Sequence, residues 1–187
     1  MPNAIITGAT KGIGKAIAER LLNENFNIAI CARSTAELAL CSKDWQQRFP
    51  QQKIITSTVD VSNEAAVKSF GREALAAFGH IDVLINNAGV FLPGNVSEEP
   101  DGHLQKMIDT NLMSAYHLSR VVIPSMKEKK QGHLFNICSI AALRAYPGGG
   151  AYSISKYALL GFTDNLRLEL STHAIKVTAI SPGAVWT

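Results

Sequence analysis

The sequence predicts an α/β fold, a doubly wound parallel sheet with helices on both faces. Three observations predict it. Short apolar or β-branched runs alternate six times with longer segments of helical period. The first run passes directly into a glycine-rich loop and a helix, and no internal repeat, low-complexity stretch or linker interrupts the alternation. Strand–helix–strand units of this kind lay successive strands parallel and cover both faces of the sheet, and the expected strand order is 3-2-1-4-5-6. The 187 residues, 47% of them hydrophobic, suffice for a sizeable core, so residues 1–187 are read as one domain.

The first strand, 4–7, leads into Gly8-Ala9-Thr10-Lys11-Gly12-Ile13-Gly14 and a helix whose apolar face is Ile13, Ile17, Leu21 and Leu22. Glycines here allow a tight turn and close backbone approach, and free N–H groups at the helix start suit a pyrophosphate. A glycine turn that merely joins two elements is the plainer alternative. The second strand, 27–31, ends in Ala32-Arg33-Ser34, where an adenosine ribose is read in such folds. No carboxylate follows until Glu37, so Arg33, with Lys11 nearby, suits a 2′-phosphate and favours NADP over NAD; an arginine simply exposed after a strand is the alternative.

Residues 34–49 form a surface helix stopped by Pro50, and 54–59 a third strand. Asp60, beside Val61, is placed either to accept from an adenine amino group or to close the turn before Ser62-Asn63. A helix over 65–78 ends at Gly79. The fourth strand, 81–85, runs into Asn86-Asn87-Ala88-Gly89, whose amides can fasten neighbouring loops and whose small residues leave room for a flat ligand. One long helix is expected from about 101 to 130, with Leu104, Met107, Ile108, Leu112, Tyr116 and Leu118 as its core stripe. Asn111 lies inside that helix and must find a partner for its amide if buried.

The fifth strand, 133–137, delivers Cys138 and Ser139 to the carboxyl edge of the sheet, where open parallel sheets bind ligands. A helix from about 149 to 173 carries Tyr152 and Lys156 one turn apart on one face. A phenol with pKa ~10 is a poor acid-base group at neutral pH, and a neighbouring ammonium favours its phenolate. With Ser139 hydrogen-bonding a substrate oxygen, the set suits proton transfer to a carbonyl or alcohol oxygen while a hydride moves at carbon. This helix is apolar almost all round, which implies burial on both sides and a subunit interface. The sixth strand, 175–180, is followed by Ser181-Pro182-Gly183-Ala184-Val185-Trp186-Thr187.

Several function classes are disfavoured. Charged residues make up 18% at a net charge of +3, and the one tight basic cluster, Lys127-Glu128-Lys129-Lys130, falls at a helix end where it complements the dipole, so no nucleic acid is expected. Cys31, Cys41 and Cys138 are odd in number and lack metal-like spacing, which argues against a disulfide framework or metal site and for a reducing, cytoplasmic setting. No signal peptide is recognised, and no run is long enough to cross a bilayer, so no membrane partner is expected.

Taken together and in order, these motifs resemble the short-chain dehydrogenase/reductase family over the whole chain, nearest the 3-oxoacyl-[acyl-carrier-protein] reductase and sepiapterin reductase kind. The resemblance implies a Rossmann-type NAD(P)-binding fold. It also implies a cofactor site of Gly8, Thr10, Lys11, Gly12, Ile13, Gly14, Arg33, Asp60, Val61, Asn87, Ala88 and Gly89, with Pro182, Gly183 and Thr187 on the nicotinamide side. Asn111, Ser139, Tyr152 and Lys156 take the places of the catalytic tetrad: Tyr152 the acid-base, Lys156 lowering its pKa and holding the nicotinamide ribose, Ser139 orienting the substrate oxygen, and Asn111 holding a water that relays protons to Lys156. Relatives acting on nucleotide sugars use a different glycine spacing, which ranks epimerase or dehydratase chemistry lower. Family chains normally continue past the position of Thr187 into a substrate-covering helix and a last strand, so the lid side of the pocket is expected to be missing.

The function this implies is an NADP(H)-dependent oxidoreductase interconverting a ketone or aldehyde and an alcohol, acting as a homodimer or homotetramer on a small molecule. The alternative is a dinucleotide-binding or interaction protein of the same fold with impaired catalysis. Residues 91–93 and 140–146 are expected to line the substrate pocket; within them Arg144 either meets an anion or is a solvated loop arginine.

Overall fold

A computed structural model describes residues 1–185. Six parallel strands, β1 (Asn3–Thr7), β2 (Asn27–Ala32), β3 (Ile54–Thr58), β4 (Val83–Asn86), β5 (Gly132–Ile137) and β6 (Ile175–Ile180), form one sheet in the order β3-β2-β1-β4-β5-β6. The expected order is therefore observed. The helices are α1 (Gly12–Asn23), α2 (Thr35–Arg48), α3 (Glu64–Phe78), α4 (His103–Ile108), α5 (Ser114–Lys129) and α6 (Gly150–Leu170).

Alternation along each strand decides which helices pack where. Ala4 and Ile6 of β1 join Ile28 and Ile30 of β2 beneath Ala18 and Leu22 of α1 and Leu38 and Trp45 of α2. Ile5 and Ala29 point the other way, with Leu84 and Leu134, into a layer of Phe70 from α3, Leu118 and Met126 from α5 and Leu166 from α6. A polar chain crosses this second layer: Asn86 Nδ2 donates to Ser119 Oγ and to Asn136 Oδ1, and Asn136 Nδ2 donates to Thr163 Oγ1. These bonds tie the carboxyl ends of β4 and β5 to α5 and α6, with Asn86 Oδ1 left buried without a partner among the described residues.

Helix starts follow their caps. Ser34 Oγ accepts from Glu37 N–H and opens α2, and Asn63 Oδ1 accepts from Ala66 N–H and opens α3, which Gly79 closes at φ +79°. One expectation needs correction. The long helix over 101–130 is three segments: α4, a π turn at Asp109–Met113, and α5, in which the Ser114 N–H reaches back to the Asp109 carbonyl. Leu104, expected in its core stripe, is 45% exposed, whereas Met107 and Leu118 are fully buried. In the single chain α6 has one buried face and one exposed, the latter carrying Ile154, Tyr157 and Leu168.

Candidate active site

Two strands that neighbour in the sheet but not in sequence, β1 and β4, open a crevice at their carboxyl ends, the usual ligand position in such sheets. A cleft of about 950 Å³ begins there. Every predicted cofactor-binding and catalytic residue among 1–185 lines it except Asn111, which lies just beneath, and Thr187 falls outside the described residues; of the expected substrate-side stretches 91–93 and 140–146, Phe91, Ile140, Ala141 and Tyr146 line it, whereas Leu92, Pro93 and the exposed Arg144 do not.

The glycine loop forms the floor. Gly8 and Gly12 adopt φ of +66° and +54°, a region closed to most side chains. A Cβ at Gly14 would overlap the Gly8 carbonyl oxygen and Asn87 Nδ2, so only glycine lets the helix start this close to the strand end. Asn87 holds that approach by donating from Nδ2 to the carbonyls of Thr7 and Gly8, both at 2.9 Å. Thr7 Oγ1, a residue missed in the site reading, accepts from the N–H groups of Asn87 and Ala88. No side chain caps α1, so its first N–H groups face the cleft, and the cradle fits a pyrophosphate.

At one end, Arg33 and Lys11 line the cleft and neither forms an ion pair among the described residues. Glu37 accepts from Thr10 Oγ1 at 2.8 Å. Asp60 does close its turn: Oδ1 accepts from the Ser62 N–H and hydroxyl, and these bonds, with Arg33 and Lys106 contributing, hold its carboxyl below the usual range. It also lines the cleft. Lys106, from α4, was not foreseen; nothing in its local sequence signals that the chain returns α4 to this wall.

At the other end, the backbone lacing of β6 to the Ser139 loop, Cys138 N–H to Ile180 O and Ile140 N–H to Pro182 O, brings Pro182 and Gly183 to the cleft. Ser139 Oγ accepts from the Ala141 N–H at 3.1 Å, which fixes its rotamer. Phe91 meets Tyr152 edge-on, with ring centroids 4.8 Å apart. Beneath the phenol, Lys156 Nζ lies 5.8 Å from the ring centroid and donates to the Ile137 carbonyl at 2.8 Å. Burial pushes the Lys156 ammonium down to about 8, with the Cys138 thiol opposing slightly.

Asn111 finds the partners that its burial demands. Its Oδ1 accepts from the Val90 N–H at 2.7 Å, and its Nδ2 donates to the Val90 carbonyl and to Ser155 Oγ. Ser155 Oγ in turn donates to the Tyr152 carbonyl. Gly89 sits between the two halves: a Cβ there would lie 3.2 Å from Asn111 Oδ1 and 3.6 Å from Lys156 Nζ. The π turn thus presents Asn111 to the strand-four loop, and that loop bridges it to the Tyr152–Lys156 helix.

A model described as short chain dehydrogenase matches residues 2–187. Among curated relatives, an uncharacterized oxidoreductase of Staphylococcus saprophyticus is 35% identical over 98% of this chain and 78% of its own length. Dehydrogenase/reductase SDR family member 7B of Bos taurus is 34% identical over 98% of this chain, which spans 58% of that protein. Among solved structures, an alcohol dehydrogenase from the archaeon Thermococcus sibiricus complexed with 5-hydroxy-NADP superposes at a TM-score of 0.94 with 29% identity, over 100% of this chain and 78% of that one. A metagenomic short-chain oxidoreductase in complex with NADP gives 0.90 with 32% identity, over 98% of this chain and 83% of that one. Sequence match and superposition both run through the glycine cradle and the Ser139, Tyr152 and Lys156 cluster, and the chain belongs to the short chain dehydrogenase family of oxidoreductases.

Proposed function

We propose that residues 1–187 act as one NADP(H)-binding unit that interconverts a ketone or aldehyde and an alcohol. The observation that carries this reading is that Ser139, Tyr152 and Lys156 line the same cleft as a glycine cradle fitted to a pyrophosphate. The bound nicotinamide supplies or accepts the hydride. Tyr152 gives its phenolic proton to the substrate oxygen as carbon is reduced, and takes it back in the oxidative direction. Ser139 Oγ accepts from the Ala141 N–H, which leaves its own hydroxyl hydrogen free to donate to that same oxygen.

Lys156 remains an ammonium in its majority at neutral pH, yet gives up a proton readily because it is buried. It stabilises the phenolate left on Tyr152 and passes a proton to it, and it holds the nicotinamide ribose. Asn111 feeds that relay. Because its side chain is committed to Val90 and Ser155, we assign the relaying water to its main chain, within the π turn. Phe91, Ile140 and Tyr146 give the substrate side an apolar wall. Three free, buried cysteines suit a reducing compartment, so we place the reaction in the cytoplasm.

For the cofactor, Arg33 and Lys11 are the cations available to a 2′-phosphate, and the two similar structures named above hold NADP or its hydroxylated form. Fluorescence titration with NADPH and NADH side by side tests this. Arg33→Ala is expected to weaken NADPH by about 10- to 100-fold and NADH by less than about threefold, since one charge-assisted contact is removed. Equal losses for the two nucleotides would assign the phosphate to another group.

The exposed side of α6, with Ile154, Tyr157 and Leu168, the last 77% exposed, supports association as a homodimer or homotetramer. Size-exclusion with light scattering is expected to return a multiple of the 20.2 kDa chain mass, and a monomer at micromolar concentration would remove this reading.

A further inference from the structure

The helix that carries Tyr152 begins without a cap of its own. No side chain of Gly149 exists to accept an orphan N–H, and no acidic residue lies in the first turn of α6. The acceptor comes from 52 residues away: the Ala151 N–H donates to Glu99 Oε1 at 3.0 Å, with Oε2 at 3.4 Å. Glu99 makes no ion pair among the described residues, so its carboxylate is given over to this one task. A negative charge is favoured there by the helix dipole as well as by the hydrogen bond.

Three further features bind the same two segments. The Gly94 N–H donates to the Gly148 carbonyl, and the Gly148 N–H donates to Asn95 Oδ1, both at 3.1 Å. Gly150, at φ +29°, has no room for a Cβ against the Gly94 carbonyl, and a Cβ at Gly94 would lie 2.9 Å from that of Glu99. The segment so fastened, 90–99, begins with Val90, which Asn111 holds by both its N–H and its carbonyl, and Phe91, whose ring meets Tyr152. Tyr152 is therefore gripped from both sides by one loop: Phe91 touches its ring, and Glu99 closes the backbone one residue before it.

We propose that Glu99 is a positioning residue for Tyr152, acting as the distant N-terminal cap of α6 and as the anchor of the loop that carries Phe91. The proposal rests on the reading of Tyr152 as the acid-base. It extends that reading to a residue which touches neither the cleft floor nor the substrate side and which sequence spacing does not reveal.

Glu99→Met keeps the aliphatic stem that packs on Gly94 and removes the acceptor oxygens; Glu99→Gln keeps one oxygen to accept from Ala151. With a carbonyl that the wild-type protein reduces, Glu99→Met is expected to lower kcat by about 10- to 100-fold, the scale of a small misplacement of a reacting group. Its NADPH dissociation constant stays within about twofold, because the cradle at Gly8–Gly14 is far along the cleft, and Glu99→Gln recovers most of the rate. A Met variant with kcat within twofold of wild type, or a Gln variant as slow as the Met one, would overturn the proposal. A second readout needs no turnover: NMR of ring-13C-tyrosine protein, the Tyr152 signal being assigned by its disappearance in Tyr152→Phe. Glu99→Met is expected to shift or broaden that signal, leaving the Tyr116 signal in place, and Glu99→Gln to restore it. An unmoved Tyr152 signal also overturns the proposal. If the wild type reduces no carbonyl offered, the oxidoreductase reading fails, and the NMR comparison alone decides the role of Glu99.

Discussion

Tyr152→Phe is expected to lower carbonyl reduction by about 10²- to 10⁴-fold, the usual worth of a positioned general acid, while NADPH affinity stays within about threefold. The substitution removes only the hydroxyl. The ring that meets Phe91 at 4.8 Å and roofs Lys156 remains, so the packing of α6 against the strand-four loop is preserved. Steady-state NADPH oxidation set against a fluorescence titration separates the two effects. A second phenol, Tyr146, lines the same cleft, and it is the residue that could rescue the variant. It is a poorer acid: burial raises its pKa first, and the nearby Tyr152 raises it further. A Tyr152→Phe protein that keeps turnover within threefold would sink the assignment of Tyr152. A wild type that binds NADPH but reduces nothing across a broad carbonyl panel would instead favour the reading of a catalytically impaired dinucleotide-binding protein.

The parts of the chain that were legible in the sequence are those whose signal is local. Strand runs such as Asn27–Ala32, the helix spans over 34–49 and 65–78 and the Gly79 stop each answer to signals within a few residues, and these elements fall where spacing puts them to within two residues. The glycine cradle was legible for the same reason, since Gly8, Gly12 and Gly14 answer to one turn. What escaped is set by contacts between distant segments. The π turn at Asp109–Met113 has no compositional mark; within it Asn111 bonds to Val90 and Ser155 at once, 21 and 44 residues away. Lys106 reaches the cleft that Arg33 and Asp60 also line, and Glu99 the start of α6, by the same long-range logic. For α6 the sequence marked an apolar surface correctly, but hydropathy does not say what covers its exposed side, and Ile154, Tyr157 and Leu168 stay open in the single chain.

Lys156→Met is expected to abolish turnover and yet to stabilise the cofactor-free protein at neutral pH. Lys156 is 4% exposed and among the described residues its one hydrogen-bond acceptor is the neutral Ile137 carbonyl, with no carboxylate there to receive it, so folding takes an ammonium out of water unpaired. Its pKa is depressed from 10.5 to about 8 by that burial. Below pH 8 folded and unfolded chains both carry the proton, and the burial cost is fully present. Between about 8 and 10.5 the unfolded chain binds more protons, so stability rises with pH, and above that range the cost is gone. The whole shift corresponds to about 3 kcal/mol, of which the loss of the bond to Ile137 and imperfect packing of methionine offset a part. Urea unfolding of wild type and variant at matched pH isolates Lys156, because the other titrating groups are common to both. The variant should lead at pH 7, and its lead should shrink by about 2 kcal/mol by pH 9.5. A gap that does not change between those pH values would mean that Lys156 is solvated or paired in the folded protein. A shrinking gap, alongside lost turnover, would identify Lys156 as a group kept at the expense of stability, the mark of a residue retained for its chemistry rather than for the fold.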